Sequence, residues 1–434
     1  MATNNPTATE AAAPVILPPL ERQKIFGYLG VLIILLAFGA PSGGLIDIPI
    51  SFFLKNRQHL QAPELAKFRL VSALPLYMSC IFGFVRDTWS PFGMGDRGLM
   101  ILFGSICAAL YVFFAFTPVT YEILLIAVVL LTTTFLFAAS AQNGMTAAIG
   151  QQHLMTGQVS AVWNIFLSIP MVAALLVGGW LSGMLEERDP DEAIRTLFLA
   201  GAAVMASMSV YALWKPKVVF DNLITERSGH PLNDFKRLLR HGPIYPALVI
   251  WLLWSFAPGS ATPLQYYLQN TLKAGDAQWG LWNAIFALSF IPTFLVFSLL
   301  CQKYPLKTLL LWGAVIAIPQ MVPLLFIHTV TAALIAAVPS GLMGGLATAA
   351  YLDLIIRSSP SGLQGTVLMM SSGLYYIAVR FGDVLGTNLY IHHGGFTACV
   401  IAITAVYALI LPALWLIPKT IIMTADGQTG LVKA

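Results

Sequence analysis

FGAPSGGLIDIPISFFLKN, Phe38 to Asn56, closes the first long apolar run of the chain and breaks nearly every rule for a helix inside a bilayer. It holds Pro41 and Pro49, glycines at 39, 43 and 44, and a carboxylate, Asp47. In hydrocarbon, loosened backbone and a carboxylate persist only beside another helix or a water-filled cavity. The stretch therefore reads as one wall of a pathway. It also recurs. PISFFLKN (Pro49–Asn56) aligns with PLQYYLQN (Pro263–Asn270), and Ala40-Pro41 upstream has its counterpart in Ala257-Pro258. Downstream, LQAPE (Leu60–Glu64) resembles LKAGD (Leu272–Asp276). Three matches in one order, bracketing one element, argue for a duplicated unit.

The composition sets the class. The 434 residues are 58% hydrophobic and 10% charged, with mean hydropathy +0.79. Soluble domains carry about 25% charged residues, so the chain reads as an integral membrane protein. At about 20 apolar residues per crossing, twelve spans are expected. They fall near 26–54, 66–86, 98–118, 122–148, 158–184, 194–214, 245–268, 280–301, 308–328, 331–355, 366–391 and 397–417, numbered here as spans 1 to 12. Residues 1–23 read as a disordered cytoplasmic tail with no signal-peptide pattern. Residues 24–214 form one six-span half, 215–243 a polar, basic linker, 244–418 a second half and 419–434 a cytoplasmic tail.

Because six is even, the two copies share orientation, which is the parallel repeat of the major facilitator architecture. The expected fold class is thus all-α integral membrane, about twelve transmembrane helices in two parallel six-helix halves. Basic residues gather on one side: Arg22, Lys24, Arg86, Arg97, the linker's Lys236, Arg237 and Arg240, then Lys303, Lys307 and Arg357. The positive-inside rule puts that side, with both termini, in the cytoplasm of an inner-membrane, multi-pass protein. Cys80, Cys107, Cys301 and Cys399 all fall in apolar runs and read as buried thiols.

Between spans 2 and 3, Gly83 and Asp87 lead into DTWSPFGMGDR (Asp87–Arg97). Asp87 there can cap the following helix or pair across the seam between halves, and Arg97 can hold a neighbouring helix C-terminus. The matching loop of the second half keeps only Gln302, Lys303 and Lys307. The long loop resembles that of the folate–biopterin transporter family and its relatives, the muropeptide permeases and acetyl-CoA transporters. PGSATPLQYY (Pro258–Tyr267) is similar to that family's seventh helix, and PSGLQGT (Pro360–Thr366) resembles the start of its eleventh, with Gln364 in place of an acid. The resemblance implies a major facilitator transporter of folate- or pterin-like compounds. Relatives carry acids on helix 4 where this chain has Asn143 and Thr146, which puts proton coupling through that helix in doubt.

Candidate binding residues are the polar and aromatic groups at membrane depth. Asp47 reads as a proton or cation relay or an amine contact, or as a carboxylate already at the headgroups. Arg380 lies about 22 Å into span 11. Asp383, three residues on, shares its face, so the two can pair. As a site, Arg380 would hold a carboxylate or phosphate in a two-pronged grip and release Asp383; as structure, they form a neutral bridge. Gln142 and Asn143 offer hydrogen bonds to a substrate or a neighbouring helix. Trp163, Asn164, Trp254, Gln265 and Tyr266 offer stacking faces and polar handles, with interface aromatics the plainer reading. Asp353 and Arg357, four apart at the cytoplasmic end of span 10, suit a gate or seam ion pair, and Asp87 and Arg97 join them as conformational residues. His392 and His393 read as an exposed loop.

No nucleophile–base pair, metal-ligand spacing or phosphate-cradling loop stands in the spans, so neither an enzyme nor an ATP-driven pump is expected. The expectation is a cofactor-free, monomeric secondary transporter, moving a small organic anion by alternating access. Its partners are that substrate, a coupling ion such as a proton in symport, and the bilayer, with no nucleic acid. Muropeptide, acyl-CoA and siderophore are alternative cargoes. A non-transporting assembly factor or receptor on the same scaffold is the alternative of another class.

Overall fold

The computed structural model describes residues 17–42, Ile46, Ile50, Leu54, 62–186, 190–220 and 231–428. Asp47 and most of the repeated stretch around it lie outside the described residues, as do most of the N-terminal tail and residues 429–434. Among the described residues, nine helices are long and apolar enough to cross a membrane. They belong to spans 1 (Pro19–Gly39), 3 (Asp96–Ala115), 4 (Tyr121–Gln152), 5 (Thr156–Glu186) and 6 (Pro190–Leu213), then 8 (Asp276–Leu300), 9 (from Leu306–Ala317), 10 (Val330–Ser358) and 12 (from Gly395–Ala408).

The remaining three expected spans are helical in a less regular way. Span 2 runs in three pieces, Ala62–Ser72, Leu74–Tyr77 and Ser79–Thr88, and Pro75 stands at the start of the middle one. Span 7 is Ile244–Ser255, then a break, then Thr262–Tyr266 and a wider π turn, Tyr267–Thr271. Pro258 cannot donate to the helix ladder, and Gly259 takes φ +108°, a backbone that only glycine adopts cheaply. Span 11 is one 29-residue helix, Gln364–His392. It carries Arg380 and Asp383, which is why length alone and not hydropathy marks it as a crossing.

Leu17 and Gln428, the first and last described residues, lie at one end of the bundle. There Arg22 on span 1 donates to Gln158 at the start of span 5, and the Gly427 amide donates to the Leu154 carbonyl. This end carries the basic residues and is called the basic end below. The halves, taken as residues 17–213 and 244–428, cross over in packing. Span 5 of the first half lies against spans 8 and 10 of the second, and span 11 of the second lies against spans 2 and 4 of the first. Without a water-driven hydrophobic effect between helices, close approach of backbones supplies the attraction. Gly83 illustrates it: a Cβ there would run into the backbone of Gly365 and Thr366.

Cys107, Cys301 and Cys399 are buried, but Cys80 is exposed. Its place in an apolar run did not bury it, because a span's outer face meets lipid. Replacing Gly83 with valine should push spans 2 and 11 apart at the basic end, lowering the apparent Tm by several degrees. A Gly83→Ser variant, one atom smaller, should lose less; equal losses in a thermal-unfolding series would contradict the contact.

Candidate functional site

The hydrogen bonds that join the halves gather at the basic end. A helix leaves its first four N–H groups without partners, and burial makes that costly. Span 11 solves this with a carboxylate from the other half. Asp87, at the end of span 2, accepts from the Gly365 amide (3.2 Å) and from the Thr366 amide and hydroxyl (both 2.6 Å). Arg86, 2% exposed, holds that carboxylate in place, donating to Asp87 at 2.6 Å and from Nε to Asp96 at 2.7 Å. The loop between them turns through left-handed residues at Phe92, Gly93 and Gly95, which brings Asp96 back onto Arg86. Arg97 faces away and closes the end of span 6. It donates to the Ala212 carbonyl (3.0 Å) and to that of Leu213, with its guanidinium 5.4 Å above the Phe220 ring.

The second half answers with a cluster around Arg357. This residue donates to Asp353 (2.9 Å), to Asp426 (2.8 Å), to the Thr424 carbonyl (2.8 Å) and across the seam to the Thr156 hydroxyl (3.0 Å). Asp426 in turn accepts from the amides of Gly157 (3.2 Å) and Gln158 (2.9 Å), capping span 5 of the first half. Neighbouring bonds tighten the same seam. Gln151 donates to the carbonyls of Ile356 (2.6 Å) and Ser359 (2.8 Å), Gln364 donates to Gln151, and Ser160 donates to the Ala349 carbonyl (2.7 Å). Arg237 of the linker helix reaches the Ser361 carbonyl. Sequence reading placed Asp353 and Arg357 together but missed Asp426, Arg86 and Asp96 as members of these clusters. Asp426 carries no local signal beyond being an acid beside a glycine.

Deeper in the bundle the candidate residues separate by environment. Asp383 does not pair with Arg380. It accepts from the Thr262 amide (2.9 Å) and hydroxyl (2.8 Å), capping the second piece of span 7, Thr262–Tyr266. The break in span 7 exposes a new helix start beside Asp383, and that demand outcompetes a pair within span 11. Arg380 is left exposed, with no hydrogen bond or ion pair among the described residues. Its helix face is informative. Met369 accepts from the Asn143 amide (3.3 Å), Gly373 lies against the Tyr77 carbonyl, and Tyr376 packs against the buried cluster in which Met369 joins Ala73, Leu76, Phe82 and Leu136 of the first half. These contacts are all with the first half, and Arg380 continues the row at helical spacing, about 24 Å from the start of the helix.

Gln142 is buried and donates to Thr146 on its own helix, and Asn164 donates to the Ser160 carbonyl. Trp163 is half-buried against the core, and Gln265 is half-buried on the second piece of span 7. Trp254 stacks on Tyr407 at 4.7 Å and meets Tyr351 edge-on at 5.5 Å, inside the second half. Tyr266 is exposed beside Tyr390. The mid-bundle set therefore does not converge on one point. Among the described residues no cluster suits a metal ion.

The family described as the Major Facilitator Superfamily matches residues 155–387, more than half of the chain. Comparison with curated protein sequences returns no match. Among solved structures, the chain is similar to the human organic anion transporter MFSD10 (TETRAN), at TM-score 0.65 and 16% identity over 92% of this chain and 100% of that one. It is also similar to FucP in the outward conformation (0.68, 14%, 92% and 100%). A third is the proton:xylose symporter XylE bound to 6-bromo-6-deoxy-D-glucose (0.64, 14%, 91% and 96%). At these identities the likeness is one of fold.

Removing one partner of a buried ion cluster strands the others, at about 3–5 kcal/mol. Asp87→Ala should therefore destabilise the protein more than Asp353→Ala, because Asp87 also caps a helix. A double-mutant cycle of Asp87→Asn with Thr366→Ala should return a coupling of about 1–2 kcal/mol in thermal unfolding, and strict additivity would contradict the cross-half cap.

Proposed function

The chain belongs to the major facilitator superfamily, and from that premise we propose that it moves a small organic anion, with Arg380 as the counter-charge. It is a membrane transporter. The observation that carries the anion reading is Arg380 itself, an exposed guanidinium deep along the 29-residue helix Gln364–His392, with no hydrogen bond or ion pair among the described residues. An intramembrane cation without a protein partner is costly unless water or a ligand meets it. Its place on the face that touches the other half, one turn beyond Tyr376, supports a position on the cleft between the halves. A guanidinium offers parallel donors that match a carboxylate or phosphate.

We further propose that the basic end faces the cytoplasm of the inner membrane, following the positive-inside rule. In the structure the seam at that end is joined by the two clusters. Rocking of the halves around the cleft would then open it by breaking the Asp87 and Asp426 caps. The resemblance of Asp87–Arg97 and Pro258–Tyr267 to the folate–biopterin transporters makes a pterin-like anion the first cargo to test. Muropeptide, acyl-CoA and siderophore follow. Asp383, engaged as a helix cap, is better suited to hold span 7 than to carry the coupling ion. Asp47 remains a candidate for that role.

Folic acid, a pterin, a muropeptide and acetyl-CoA should be screened against the purified protein by thermal shift. A true ligand at a hundred times its Kd should stabilise the protein by about 2.7 kcal/mol. In Arg380→Ala the shift should vanish and uptake into proteoliposomes should stop, while the unliganded Tm stays near that of the parent. Full retention of both ligand shift and uptake would overturn the assignment.

A further inference from the structure

The two basic-end clusters are built alike, and they differ in one respect. Each places one arginine between two aspartates, and in each one aspartate caps a helix of the opposite half. In the Arg86 cluster, Asp87 receives three donors from span 11 besides Arg86, and Arg86 reaches both oxygens of Asp96. In the Arg357 cluster the count falls short. Asp353 is fully buried, and its Oδ2 has no hydrogen-bond partner among the described residues. This oxygen points at the start of span 5, where Gly157 alone leaves room between it and Cys301. Asp426 is 7% exposed, with the Cys301 thiol 3.6 Å from its Oδ2. Two buried carboxylates thus share one guanidinium, with one acceptor atom left bare.

We infer that the Asp353–Arg357–Asp426 cluster is a proton-binding site, occupied when the 424–427 strap is seated and emptied when the strap leaves. The geometry sets the direction. Seated, Asp426 lies against a second buried acid, and adding one proton to the pair leaves a single carboxylate facing Arg357. Released, Asp426 returns to water as an ordinary carboxylate, and Asp353 keeps Arg357 one to one. Among the described residues, the remaining charged groups do not supply the missing compensation. Arg22 is engaged by Gln158, and Lys303 and Lys307 are exposed on the loop and helix that follow Cys301. His153, in the loop before span 5, is buried and has an interaction of its own.

Burial, followed by the neighbouring Asp353, pushes the Asp426 carboxyl up to about 6. A group whose pKa is raised in the seated form favours that form at low pH. The preference is full below about 4, the ordinary aspartate value, and is lost as pH rises through about 6. The seated form should therefore lose roughly tenfold in population relative to the released form between pH 5 and pH 7. This coupling of proton binding to the seam does not depend on the role of Arg380.

Hydrogen exchange on the full-length protein in nanodiscs tests it directly. The reporters are the Asp426 amide, bonded to the Cys301 carbonyl, and the Gly427 amide, bonded to the Leu154 carbonyl. After correction for intrinsic rates, protection of 424–428 and of the span 5 start should fall about tenfold from pH 5 to pH 7. Asp426→Asn, which keeps the shape and cannot ionise, should flatten that profile. A wild-type profile that is flat or rises with pH would overturn the proposal with no variant needed. An Asp426→Asn profile that keeps the parental slope would assign the titration to another group, such as His153 or His241, and would equally overturn it.

Discussion

Helix N-termini govern this structure. Spans 5 and 11 begin at the basic end inside protein, where water cannot satisfy their leading amides, and each takes an aspartate from the half to which it does not belong. A carboxylate at a partly buried helix start contributes up to about 2 kcal/mol beyond its hydrogen bonds, through the aligned peptide dipoles. Because each cap crosses the seam, this stabilisation exists only while the halves are closed at that end. An arginine stands behind each cap and holds its aspartate in place. Arg86 keeps Asp96 and Arg357 keeps Asp353 when the capping aspartate leaves, so each arginine stays paired within its own half.

The same demand explains where the other intramembrane charges sit. Asp383 lies deep along span 11, yet it serves a helix start, the one created when Pro258 and Gly259 break span 7. Gln142 on span 4 and Asn164 on span 5 are likewise spent on groups of their own helices. Arg380 stands apart from this pattern: it is exposed, has no hydrogen bond or ion pair among the described residues, and continues the row of span 11 residues that touch the first half.

Much of this was legible in the chain. The all-helical membrane fold follows from composition and the spacing of apolar runs, because hydropathy is written along one dimension. Asp87, Arg97, Asp353 and Arg357 were legible as helix-end charges, since their positions at the ends of runs restrict what they can do. The pairing of Arg380 with Asp383 was not, although their spacing allows it. The competing helix start is 121 residues away in sequence and exists only because span 7 breaks. Asp426 was least legible of all. The loop that should mirror Asp87 lacks an acid, and nothing in Lys303 or Lys307 says that a residue more than a hundred positions later fills the gap.

The strap also has a consequence for biosynthesis. Asp426 leaves the ribosome after all twelve apolar runs, so span 5 enters the bilayer, and spans 6 to 12 follow, with its first amides lacking their cap. Span 11 meets no such delay, because Asp87 is already in place when Gly365 and Thr366 arrive. The two sides of the seam are thus completed in a fixed temporal order, the Asp87 side first. A chain cut between Ile422 and Asp426 would carry all its helices and the Asp87 side joined, with the start of span 5 left without its Asp426 cap.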